Sequence, residues 1–140
     1  MANTARVLVV ANRTAESPEL LKALRERATR GPCSYTLLVP QTPHGLAWAA
    51  NRGAGHDEAE HYRQAFIDEL REEGIPLEEA KVGDGDPLAA IQDECNFNDY
   101  DELIVSTLPL RMSKWLKVDL PSKARAATGL PVSHVIGSEK

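Results

Sequence analysis

Long apolar runs and CxxC pairs are both missing from this chain of 140 residues, and each absence argues against a class of protein. The run Val7-Leu8-Val9-Val10-Ala11 is typical of its apolar stretches. It falls far short of the roughly 20 residues that a bilayer-spanning helix needs. Met1-Ala2-Asn3-Thr4 leads straight into it with no signal-peptide core, so a cytoplasmic protein with no membrane partner is expected. Cys33 and Cys95 are the only cysteines and form no CxxC pair, which suits a reducing compartment. Basic excess is absent too. A net charge of -5 argues against a nucleic-acid partner. The HExxH pattern is missing, because His56 and His61 stand five apart and fall on different sides of a helix. No metal is therefore expected. Ser106 and Ser113 have no neighbouring His or acid in a recognisable catalytic pattern, so no catalytic residue is assigned.

What is present is an alternation of strand and helix signals. Arg6 to Ala11 reads as a strand buried on both faces. Ser17-Pro18 starts a helix whose inner face is Leu20, Leu21, Leu24 and Ala28. Tyr35 to Val39 reads as a second strand stopped by Pro40, and a long loop from Gln41 to Gly55 follows. A helix from about Asp57 to Glu73 turns Ala59, Tyr62, Phe66 and Leu70 inward. Leu77 to Val82 is interrupted by Glu78, Glu79 and Lys81, as an edge strand would be. Asp86-Pro87 caps a helix with Leu88, Ile91 and Cys95 inside, and Leu103-Ile104-Val105 is a short buried strand. Ser106 to Val118 is irregular or part-helical, Pro121 to Thr128 is helical, and Pro131 to Ile136 is the last strand. The expectation is one α/β domain over residues 1–140. It has three α/β/α layers around a doubly wound, five-stranded parallel sheet of order 3-2-1-4-5. In that order a ligand crevice lies between the carboxyl ends of strands one and four, at Asn12-Arg13-Thr14 and Ser106-Thr107.

Several of these segments together resemble the universal stress protein family, across nearly the whole chain. They are Val7 to Thr14, Val82-Gly83-Asp84-Gly85-Asp86-Pro87, Asp101 to Val105, and Pro131-Val132. The resemblance implies the same fold, an adenine nucleotide (ATP or AMP) as the class of ligand, and a homodimer paired through the final strand, Pro131 to Ile136. Family members that bind ATP carry G-x2-G-x9-G-[S/T] after strand four. There, glycines let backbone N–H groups approach phosphates. Aligned on strand four, this chain has Thr107, Leu110, Leu120 and Pro121 at those places, and Asn12 where the family has aspartate. Leucine blocks close approach and proline has no N–H. ATP and AMP are thus disfavoured, no cofactor is assigned, and the chain is read as a divergent member.

Site candidates follow from the crevice. Ser106, Thr107, Arg111, Ser113 and Lys114, with Ser122 and Lys123, combine hydroxyls with cations that suit a small anionic ligand. They fall in a locally basic stretch, Arg111 to Arg125, of an otherwise acidic chain. Asn12, Arg13 and Thr14 sit at the switch point, where Arg13 either binds an anion or fills the pocket. His44, between Pro43 and Gly45, would overhang it. His134 is read as structural or interfacial, and Gly83-Asp84-Gly85 as helix capping. The leading expectation is a non-enzymatic small-ligand-binding or regulatory module. The alternatives are a nucleotide-binding enzyme of the adenine nucleotide hydrolase-like superfamily and a protein-interaction domain with a filled pocket.

Overall fold

The computed structural model describes residues 4–41, 54–83, 85–109 and 113–137, without the side chains of 54–56, 114 and 117. Five parallel strands form one sheet: β1 Ala5–Val10, β2 Cys33–Pro40, β3 Leu77–Gly83, β4 Glu102–Thr107 and β5 Val132–Ile136. Their order is β3-β2-β1-β4-β5, as the alternating pattern predicts. The helices are α1 Pro18–Ala28, α2 Ala54–Glu73, α3 Pro87–Phe97, the single turn α4 Lys114–Lys117, and α5 Leu120–Thr128. Among the described residues, no helix is long and apolar enough to cross a membrane.

Strand alternation sends side chains to opposite faces and so divides the core in two. Val7 and Val9 of β1 pack with Leu20, Leu24, Phe66 and Leu70 from α1 and α2. Leu8 and Val10 pack on the other face with Ala90, Ile91, Leu120 and Ala124 from α3 and α5. β1 is apolar on both faces because it is central, with β2 on one side and β4 on the other. β3 tolerates Glu78, Glu79 and Lys81 because it is an edge.

The helix ends follow their capping residues. Ser17 accepts from Leu20 N at 3.1 Å and Asp86 Oδ1 accepts from Leu88 N at 3.1 Å, each followed by proline. Gly74 (φ 70°) and Gly129 (φ 71°) take the left-handed conformation that ends α2 and α5. Asp119, before α5, adopts the same region at φ 54° without glycine's freedom and without a side-chain cap bond. Replacing it with glycine should raise the unfolding free energy by about 0.5–1 kcal/mol, read from urea denaturation. A loss of stability would show that the Asp119 side chain contributes more than its backbone conformation costs.

Two sequence expectations need correction. Ala28 is exposed, and Arg27 takes its place among the inward residues of α1. Helical spacing permits either position. Position 27 wins because its guanidinium meets Glu102 on β4 in a two-pronged ion pair at 2.6 and 3.1 Å. The strands are also longer than local pattern suggests. Pro40 belongs to β2 as its last residue, and Ser106 and Thr107 belong to β4. The hydroxyl residues stay in strand conformation because β5 pairs with them, Ser106 opposite Val135 and Thr107 opposite Ile136.

Candidate functional site

The expected crevice is at the point where β1 stops. Ala15 N donates to Asn12 O at 3.1 Å and Ser17 N donates to Thr14 O at 3.0 Å, so two successive turns reverse the chain before α1. Asn12 Oδ1 accepts from Arg13 N at 2.6 Å and steadies the first of them. This geometry leaves Arg13 exposed and turns Thr14 inward to 2% exposure. Thr14 Oγ1 then lies 2.6 Å from Ser106 Oγ, across 92 positions of sequence. The two strand ends at the switch point are thus joined by a buried pair of hydroxyls. One O–H is used in that contact, which leaves the pair one further donor.

Thr107 points to the opposite face, and its Oγ1 lies 2.7 Å from His134 Nε2 on β5. This contact was not foreseen, because only the β4–β5 register brings the two residues together. A hydroxyl beside an imidazole is one element of a nucleophile–base pair. Thr107 is only 2% exposed, however. Among the described residues, no carboxylate hydrogen-bonds the other ring nitrogen, so the pair lacks the orienting third group. Burial lowers the His134 pKa from its ordinary value, favouring the neutral ring.

The other hydroxyls have structural work. Ser17 caps α1, and buried Ser113 caps α4 by accepting from Leu116 N at 3.2 Å. Gly137 continues the β4–β5 ladder, its N donating to Thr107 O at 2.8 Å. A methyl group added at Gly137 would stand 2.5 Å from Ser17 Oγ, so glycine there reflects close packing beside the crevice. Gly83 is explained the same way, since a methyl group there would meet Leu38 Cδ1 at 2.9 Å and Ala90 Cβ at 3.0 Å.

The expected cations are only partly placed. Ser122 and Lys123 are exposed on the first turn of α5. His44 and Arg111 lie outside the described residues, and Lys114 is placed by its backbone alone. Leu120 is 1% exposed within the α3–α5 side of the core, and Pro121 beside it is buried. Both occupy the start of α5 with apolar bulk. A separate open groove of about 440 Å³ lies between Glu16 and α2, lined in part by His61, Asp68, Glu69 and Glu72. Its carboxylates would repel an anion. No group of three or more His, Cys, Asp or Glu among the described residues could hold a metal ion.

No family model and no curated protein matches the sequence. Solved structures do match the fold. A universal stress protein family protein from Arabidopsis thaliana with AMP bound has a TM-score of 0.63 at 17% identity, covering 96% of this chain and 92% of that one. The universal stress protein from Archaeoglobus fulgidus in complex with dAMP has a TM-score of 0.61 at 20% identity, covering 96% of this chain and 99% of that one. A universal stress protein in complex with cAMP has a TM-score of 0.62 at 16% identity, covering 98% of this chain and 100% of that one. At these identities the shared property is the fold.

Proposed function

We propose that this chain is a non-enzymatic binding module of the universal stress type, acting as one cytoplasmic domain. It takes a small ligand of the nucleotide class at the β1/β4 crevice and binds ATP weakly or not at all. The observation that carries the proposal is the buried Thr14–Ser106 contact, which brings two hydroxyls together at the switch point of the sheet. Structures of the same fold with AMP, cAMP and dAMP support the ligand class. Buried Leu120 and Pro121 support the weak ATP binding. They leave the start of α5 without the open backbone N–H groups that a phosphate chain uses. Asn12, Arg13, Thr14 and Ser106 are the proposed crevice side chains, while the Thr107 hydroxyl is turned to His134 on the other face. Arg111, Lys114, Ser122 and Lys123 are proposed to supply donors at its basic margin. The proposed assembly is a homodimer paired through β5.

Native mass spectrometry of the purified protein, followed by calorimetric titration with AMP, cAMP and ATP, tests the reading. The expected result is a dimer that binds at least one monophosphate and gains nothing from the two further phosphates of ATP. Co-purified ATP, or ATP bound at least about tenfold more tightly than AMP (about 1.4 kcal/mol), would overturn the weak-ATP reading. Conversion of ATP to products would favour the enzymatic alternative.

A further inference from the structure

The two edges of the sheet differ in how they resist pairing. An edge strand presents unpaired N–H and C=O groups, and charged side chains are a common guard against another strand docking there. β3 has that guard, with Glu78 and Glu79 exposed and Lys81 beside them. β5 reads Val-Ser-His-Val-Ile and carries no side chain that is charged when its histidine is neutral. Ser133, His134 and Ile136 are exposed on it, Ile136 by 53%. The one titratable side chain of β5 is His134, at the strand's midpoint.

We infer that pairing of two copies through β5 is gated by protonation of His134, neutral rings permitting it and imidazolium ions blocking it. The inference rests on the proposed β5 homodimer. In a two-fold antiparallel pairing that uses all five residues, the strand midpoint faces its own copy. The two His134 side chains then share one face of the joined sheet, with Cβ atoms about 4.5–5.5 Å apart. Like charges directly opposite are destabilising, and water is excluded as the edges close.

The ring cannot easily swing clear of this position. Its Nε2 is held 2.7 Å from Thr107 Oγ1 on β4. The contact survives titration, because a neutral Nε2 accepts the threonine proton and a protonated Nε2 donates to the threonine oxygen. Added charge therefore stays at the edge. The surrounding groups leave His134 to act alone. From β4 the ring meets Thr107, which does not titrate. α5 brings Arg125, whose Nη2 reaches Val132 O at 3.5 Å. α1 packs with Val135, on the face opposite His134, and its Arg27 is held by Glu102. Burial already places the titration below the ordinary value of 6.5, and pairing would lower it further. The dimer is thus favoured above the free-monomer pKa and weakened as pH falls through it.

Analytical ultracentrifugation of the whole chain at about pH 8 and about pH 5.5 tests this, with circular dichroism confirming the fold at each pH. The expected result is a dimer at the higher pH, a dimerisation constant weakened about tenfold or more at the lower, and a His134→Gln variant that dimerises alike at both. A wild-type dimer equally tight at both pH values overturns the gate and leaves the dimer standing. So does a His134→Gln variant with undiminished pH dependence. A monomer at both pH values overturns the β5 dimer and the gate with it. Ile136→Lys, which adds a permanent charge to the same edge, should be monomeric at the higher pH; if it dimerises normally, pairing runs through another surface and the gate fails.

Discussion

Leu120→Gly is expected to lower the unfolding free energy by about 3–5 kcal/mol, the sum of a core cavity and a glycine in a helix. Leu120 is 1% exposed and packs with Leu8, Val10, Ile91 and Ala124 between the sheet and its α3–α5 layer. Its removal leaves a void that the first turn of α5 cannot close, because buried Pro121 fixes the backbone there. The variant carries a functional question as well. Leu120 and Pro121 stand where a glycine followed by Ser or Thr would open a phosphate cradle. Glycine at position 120 removes the bulk but also the packing that seats α5. Urea denaturation and ATP titration of Leu120→Gly and of Leu120→Gly/Pro121→Ser should show marked destabilisation without submicromolar ATP binding. A double variant that keeps wild-type stability and binds ATP tightly would refute the idea that the core has taken over this position.

The second large effect is expected at Glu94. This carboxylate lies on α3, is only 9% exposed, and accepts three hydrogen bonds. They come from Lys81 Nζ at 2.9 Å, Asn98 Nδ2 at 3.0 Å and Tyr100 OH at 2.5 Å. Tyr100 is in turn covered by the Arg6 guanidinium, 5.1 Å from its ring centre. Glu94→Ala should cost about 2–4 kcal/mol, because the half-buried ammonium and the buried phenol lose their acceptor together. Glu94→Gln keeps an acceptor and should cost less. The pH dependence follows from the same bonds. Burial pushes the Glu94 carboxyl up, but Tyr100, Lys81 and Asn98 outweigh it and hold it below the ordinary glutamate value. A depressed carboxylate contributes stability that is present above its unfolded pKa and lost as pH falls through the folded one. The Lys81 ammonium, raised chiefly by its hydrogen bond to Glu94, contributes stability that is present below its unfolded pKa and lost as pH rises through the folded one. Urea midpoints should therefore fall at both acid and strongly alkaline pH in the wild type, and respond less to acid in Glu94→Gln. An unchanged acid response in that variant would show that Glu94 is not the source of the acid sensitivity.

The fold was largely legible because its signals are local. Val7 to Ala11 is apolar without alternation, which only a strand covered on both faces tolerates. Ser17-Pro18 and Asp86-Pro87 mark helix starts by chemistry that acts within three residues. The charges of β3 identify an edge before any pairing is known. The candidate site was legible in outline for a different reason. Strand order 3-2-1-4-5 sets the ends of β1 and β4 side by side while the chain leaves them toward opposite faces, so Thr14 and Ser106 could be named together without knowing their distance.

What stayed hidden depends on register and on side-chain reach. Helical periodicity alone cannot choose between Arg27 and Ala28; Glu102, 75 positions away, makes the choice. Thr107 and His134 are neighbours only because β4 and β5 pair in one register, and a slip of one residue would turn His134 to the other face. The Glu94 cluster joins β3, α3 and the turn before β4, and no spacing in the sequence announces it. Period, capping and strand alternation act over a few residues, so the sequence by itself determined the elements, their order and which strand ends meet at the switch point. The partners of each polar side chain depend on how distant elements are set against one another, and that was decided by the tertiary structure alone.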